Sequence, residues 1–157
     1  MKYYLKLIRI ENLLLIALMQ LVIKYTFLNQ ADILQALSDW KYFLLIIATL
    51  SIAAGGYIIN DIYDVDVDNI NKPNKVYVGT HISEKNAYNL YFTLNIIGVG
   101  LGFYLSRAVG KPAIAAVFVI CSALLYVYSN GLKQIPLVGN AVIAALAGLS
   151  ILVVGLF

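Results

Sequence analysis

Five stretches of this 157-residue sequence are apolar for long enough to approach the span of a bilayer: Asn12–Leu28, Trp40–Ile59, Ala87–Leu105, Pro112–Tyr128 and Pro136–Phe157. A hydrocarbon core of about 30 Å takes roughly 20 helical residues to cross. Backbone N–H and C=O groups in lipid find no water, so each stretch is predicted to satisfy them internally as a helix. The expected fold class is all-α, a polytopic membrane helix bundle with about five transmembrane helices. Residues 1–157 are expected to form a single transmembrane domain. Composition supports this: 62% of residues are hydrophobic and 12% charged, where soluble domains carry about a quarter charged residues. A soluble chain this small could not bury so much apolar surface.

Several stretches carry Tyr or Trp near their ends (Tyr3, Tyr4, Trp40, Tyr42, Tyr126, Tyr128), as interfacial anchors do. Lys2, Lys6 and Arg9 precede the first apolar run as in a signal peptide, but Lys24, Tyr25 and Thr26 follow it where a small-residue cleavage site would stand. That run is therefore read as a retained helix. With five crossings, Lys2, Lys6, Arg9, Lys72, Lys75, Lys85 and Lys133 fall on one face. Lys41, Arg107 and Lys111 fall on the other, with Lys24 near it. The richer face, holding the N-terminus, is expected to be cytoplasmic. The basic residues are scattered, and no nucleic-acid partner is implied. Cys121, the single cysteine, lies in an apolar run and reads as a small buried residue. Gly98 and Gly102, four apart, predict a close helix contact.

The chemistry concentrates at one helix end. Of eight acidic residues, Asp61, Asp64, Asp66 and Asp68 fall within Asn60-Asp-Ile-Tyr-Asp-Val-Asp-Val-Asp68. At about 100° per residue, Asp61, Asp64 and Asp68 share a helix face. Asn60 flanks that face and Asp66 points away. Carboxylates this close repel, and a divalent cation would relieve them. Zinc is disfavoured because no Cys is near and His81 is the only histidine. A calcium loop starting at Asp64 would need Gly at 69 and Glu at 75, where Asn69 and Lys75 stand. Mg2+ typically takes one or two carboxylates and completes its shell with water and phosphate oxygens. Asn60, Asp61, Asp64 and Asp68 are thus the candidate metal ligands, with the three aspartates as catalytic candidates. Lys72 and Lys75 follow closely and suit the phosphates of an anionic substrate. The rival reading is a non-catalytic membrane module that binds cations or a lipid diphosphate. A phosphoalcohol transferase is disfavoured because its Asp-Gly and Ala-Arg elements are absent.

The pattern Asn60-Asp61-x-x-Asp64-x-x-x-Asp68, followed by Asn71-Lys72-Pro73 and Gly79, closely resembles the first aspartate motif of the UbiA superfamily of intramembrane prenyltransferases. Leu7-Ile8-Arg9-Ile10-Glu11-Asn12 resembles the opening of that family's first helix. Tyr126–Asn140 resembles its connection between helices four and five. The detail is most like the branch that transfers geranylgeranyl to geranylgeranylglyceryl phosphate. The resemblance implies an Mg2+-dependent enzyme, a transferase of alkyl groups other than methyl. Its partners would be an allylic prenyl diphosphate, a lipophilic or aromatic acceptor, and membrane lipid. It also implies substrate-binding roles for Asn12, Asn60, Lys72, Lys75, Tyr128 and Lys133. Three local departures stand out: Ile10 replaces the usual proline of the opening, Lys75-Val76 stands where the family usually has Arg-Pro, and Lys133 follows Tyr128 by five rather than four. The family also carries a second aspartate motif and usually nine helices. No Asp follows Asp68 here, so the chain is expected to be incomplete at its C-terminus and inactive alone. A degenerate or half-length member is the alternative.

Overall fold

The computed structural model describes residues 1–28 and 36–157. Its helices run α1 Lys2–Leu7, α2 Ile10–Val22, α3 Asp39–Tyr63, α4 Val65–Asn71, α5 Glu84–Ala108, α6 Ala115–Asn130 and α7 Val138–Leu156. The bundle is all-α as predicted. Among the described residues, α3, α5, Pro112–Asn130 and α7 are each long and apolar enough to cross a membrane.

α3 is the axis of the bundle. Alanines, glycines and β-branched residues on it let neighbours approach from several sides, and Leu45, Ala48, Ile52, Ala54, Ile58 and Ile59 are all buried. α5 packs against it closely because Gly98 presents no side chain. A Cβ there would lie 2.6 Å from Ile52 and 2.9 Å from the Ala48 carbonyl oxygen. One turn on, a Cβ at Gly102 would run into the ring of Phe118 on α6. The predicted glycine pair thus seats two partners, one on each glycine. α6 and α7 leave large residues such as Val119, Ile120 and Leu152 exposed, as lipid-facing helices do.

The first apolar stretch departs from expectation. Its α-helical part ends at Val22, and Ile23–Leu28 widens into π-helical turns. The 13 residues of α2 rise about 20 Å, short of a hydrocarbon core. The change of helix type coincides with a polar cluster at this end of the bundle. The Tyr42 hydroxyl donates to the Gln20 carbonyl at 2.5 Å. Lys24, only 3% exposed, pairs with Asp39 at 2.6 Å and stands 4.2 Å over the Tyr42 ring. A buried ammonium is retained here by one carboxylate and two aromatic faces, the second being the Tyr25 ring at 5.1 Å.

At the opposite end the chain folds back on itself. Val78 and Ile82 from the α4–α5 loop are buried with Leu7, Ile58, Ile59, Ile62 and Ala87. That apolar patch lays α1 and the Lys72–Ser83 segment over the end of α3. Gly79, at φ +82°, makes the turn that returns Ile82 to the patch.

Candidate active site

α3 continues beyond Ile59 to Tyr63 and breaks at Asp64, whose φ and ψ are −95° and 1°. α4 then resumes from Val65. The acidic motif is therefore two helical segments joined at its middle aspartate. The break redistributes the carboxylates. Asp61 and Asp68 line an open polar cavity of about 740 Å³. Asp64 turns towards the α6–α7 connection instead, where Lys133 Nζ lies 2.5 Å from its Oδ1. Asn60 Nδ2 donates to the other Asp64 oxygen at 2.8 Å, and Lys133 also reaches Asn60 Oδ1 at 3.4 Å. Asp66 is exposed. Among the described residues, no three His, Cys, Asp or Glu side chains are gathered closely enough to hold a metal ion together.

Like charge in the motif is relieved by cations from distant parts of the sequence. Arg9 Nη2 lies 2.9 Å from Asp61 Oδ1, with the carboxylate side chain 17% exposed. Lys133 plays the same part for Asp64. Both pairs sit at a membrane helix end, where water screens less than at an open surface. Arg9 itself is held in the left-handed region, at φ 51° and ψ 58°, between α1 and α2. A non-glycine residue there costs of order 1 kcal/mol and persists only where its surroundings fix it. Those surroundings are visible: the guanidinium carbon stands 4.8 Å over the Tyr57 ring as the same group meets Asp61.

The polar cavity carries charge of both signs. Lys2, Lys6, Arg9, Lys72 and Lys75 line it alongside Asp61, Asp68, Glu11 and Asn12. Of the residues singled out in the sequence, Asp61, Asp68, Asn12, Lys72 and Lys75 thus meet in one cavity. Asn60 and Tyr128 line a second space, an apolar slot of about 330 Å³ between α2, α3, α6 and α7. Asp64 and Lys133 form a pair with Asn60 at their side. Arg9 lines both spaces and so stands where they meet. Its pairing with Asp61 was not legible from spacing, because 52 positions separate the two. The only trace in the sequence is that Arg9 lies in the quoted opening segment. Lys2 and Lys6, read as topology signals, also face the polar cavity.

Comparison with known proteins places these features in a family. The chain is 35% identical over 156 residues to the digeranylgeranylglyceryl phosphate synthase of Sulfolobus acidocaldarius, covering 95% of this chain and 50% of that protein. The protein of that name from Methanococcoides burtonii is 30% identical over 151 residues, covering 94% of this chain and 52% of the relative. That from Saccharolobus solfataricus is 40% identical over 105 residues, covering 67% of this chain and 36% of the relative. A solved structure from work on digeranylgeranylglyceryl phosphate synthase in membranes superposes with a TM-score of 0.82 at 26% identity, over 99% of this chain and 52% of that one. The chain spans about half the length, or less, of the curated relatives it matches. The family model described as the UbiA prenyltransferase family matches residues 14–157. With this match, and with its aspartate motif at the end of a membrane helix bundle, the chain belongs to the UbiA prenyltransferase family and is an integral membrane protein.

Proposed function

We propose that this chain binds an allylic prenyl diphosphate for transfer of its prenyl group to a lipid acceptor, with geranylgeranylglyceryl phosphate the acceptor class its relatives' names favour. The observation that carries the reading is the junction at Arg9 of a charged cavity and an apolar slot. A prenyl diphosphate has that same division. Its head would lie among Lys72, Lys75, Lys2 and Lys6, and its tail between α3, α6 and α7.

Magnesium fits the donor set of the polar cavity. Asp61 and Asp68 offer carboxylate oxygens there, the cavity contains no sulfur or imidazole donor, and Mg2+ shares its shell readily with phosphate oxygens. Asp61 and Asp68 would hold it, with Asp64 and Asn60 beside them. When bound, the ion would neutralise charge on the departing diphosphate.

The protein's own groups do the rest. The lysines attract and orient the anionic diphosphate head. Arg9, already aligned by Tyr57, donates to the same region. The C–O bond to the diphosphate breaks, the bonding pair leaves with the diphosphate, and an acceptor oxygen supplies the pair for the new C–O bond and releases its proton. The apolar walls around Asn60 and Tyr128 keep water from the allylic carbon. Five basic side chains on the cavity wall favour an anionic ligand over a path for free cations. The Lys and Arg asymmetry supports placing this end of the bundle, with the N-terminus, in the cytoplasm.

A photoreactive geranylgeranyl diphosphate tests the reading. Label on slot residues such as Ile52, Phe118 or Leu146 is expected. Label confined to lipid-facing Ile96, Val119 or Ile120 would overturn it. For the acceptor, glyceryl-lipid and aromatic acceptors are titrated against the membrane-embedded chain loaded with geranylgeranyl diphosphate and magnesium. Tighter binding of the glyceryl lipid is expected, and preference for an aromatic acceptor would replace that assignment.

A further inference from the structure

Lys133 meets Asp64 from an irregular stretch of chain, the short 3-10 turn Leu132–Gln134 between α6 and α7. The first turn of α7 rests directly on that backbone. A Cβ at buried Gly139 would lie 3.0 Å from the Leu132 carbonyl oxygen and 3.1 Å from the Lys133 Cα. Both are backbone atoms, so a side chain at this position would have to push the chain at Lys133 itself. The chain reaches this contact through a strained turn. Leu137 stands at φ 69° and ψ −47°, and the Val138 N–H donates back to the Pro136 carbonyl at 2.9 Å. That is a γ-turn of the rare, strained hand. The Leu137 side chain is 81% exposed, so its own packing does not hold it there. Strain of this kind persists where the surroundings over-determine it, and it collects at functional sites. Here it lowers Gly139 onto Lys133, and the Gly139 N–H closes the turn on the Ile135 carbonyl at 3.1 Å.

We infer that Gly139 and the strained turn at Leu137 position Lys133 against Asp64. A lysine is long and freely rotating, and holding it in one ion pair costs side-chain entropy. A backbone fixed at Lys133 shortens that search. It lets one ammonium meet Asp64 Oδ1 at 2.5 Å and Asn60 Oδ1 at 3.4 Å together. The pair in turn fixes the bend between α3 and α4, and that bend leaves Asp61 and Asp68 in the polar cavity. Gly139 and Leu137 line neither the cavity nor the slot, so each is a positioning residue that acts through Lys133. The seating of Lys133 stands on this geometry alone, and its consequence for diphosphate binding rests on the proposed function.

The test measures the coupling of Lys133 to Asp64 by a double-mutant cycle of Lys133→Met and Asp64→Asn, read by thermal unfolding of the full chain. The cycle is run in the wild type and in Gly139→Val, Leu137→Pro and Gly148→Ala. Gly148 lies on the same helix with open space where a Cβ would go, so its variant should keep the wild-type coupling. Gly139→Val should abolish the coupling. Leu137→Pro should abolish it without adding bulk at Gly139, because the proline ring holds φ near about −65° and cannot enter the turn. If Gly139→Val does not fold, Gly139→Ala, which asks the Lys133 backbone for a smaller shift, takes its place with a partial loss. Binding of inorganic diphosphate with magnesium in lipid nanodiscs is read alongside. Lys133→Met and Gly139→Val should each weaken it about fivefold, the coupling of a partly exposed pair expressed as affinity. In the Lys133→Met background, Gly139→Val should add no further loss. Coupling that survives Gly139→Val or Leu137→Pro would overturn the inference. So would a Gly139→Val loss of binding that is the same with and without Lys133→Met. If the wild type binds no diphosphate, the proposed function falls, and the unfolding cycle still decides whether Gly139 and Leu137 seat Lys133.

Discussion

Lys133 Nζ lies 2.5 Å from the Oδ1 of Asp64, 69 positions earlier in the chain. The contact joins the α6–α7 connection to the break between α3 and α4, and so fixes where the acidic motif bends. With Asn60 donating to the second Asp64 oxygen, the middle carboxylate is held on both sides.

Lys133→Met should loosen this junction. The pair is partly exposed, at 17% and 22%, so its coupling should be about 1 kcal/mol rather than that of a fully buried pair. A double-mutant cycle with Asp64→Asn, read by thermal unfolding in detergent, measures it. Additive effects would show that the pair contributes nothing beyond its separate side chains.

Asp61 and Asp68 should separate from Asp66 by function. Asp61→Asn and Asp68→Asn, in the polar cavity, should each weaken magnesium-dependent prenyl diphosphate binding by at least about tenfold, the range seen even for outer-shell metal partners. Asp66→Asn, at an exposed position, should stay within about twofold, as surface changes away from a site do. Isothermal titration of the three variants is the check, and equal losses across all of them would contradict the division.

Arg9 is predicted to act through shape as well as charge. Arg9→Lys keeps the charge but loses the planar stack over Tyr57 and the fixed fork towards Asp61. Binding should fall by roughly threefold to tenfold, the scale of one lost cation–π or charge-assisted contact. Arg9→Gly relieves the left-handed backbone and should raise thermal stability relative to Arg9→Ala, while both lose the binding contribution.

Gly98→Ala should destabilise the bundle by roughly 1–3 kcal/mol, because the new methyl would meet the Ala48 carbonyl oxygen as well as Ile52. Gly100→Ala, with open space around it, should be neutral or slightly stabilising in the same helix. Thermal unfolding of the two variants separates packing from helix propensity.

Much of this was legible in the sequence for one reason: a bilayer leaves a chain few options. Apolar length and the absence of water fix helices at α3, α5, α6 and α7. The spacing Gly98–Gly102 fixes a contact face, although not that its two glycines serve different neighbours. What the sequence did not show depends on pairing across the bundle. A regular helix through Asp61, Asp64 and Asp68 would gather all three carboxylates. The bend at Asp64 sends the middle one to Lys133, whose position follows from how α6 and α7 turn. Arg9 meets Asp61 only because Leu7 is drawn into the apolar patch with Ile58, Ile59 and Ile62. Likewise, the polar cluster around Gln20 and Lys24 involves partners on α3 and α7, and local periodicity in α2 carries no sign of it.

The junction at Arg9 is proposed to read both halves of a prenyl diphosphate. Its most direct test is the affinity of the chain in lipid nanodiscs for ligands with one and the same geranylgeranyl tail, so that partition into lipid cancels. The expected result is tight binding of the diphosphate with magnesium, marked weakening when EDTA removes the metal, and weaker binding still of the alcohol. Equal affinity for the alcohol and the diphosphate, or affinity unchanged by EDTA, would contradict it.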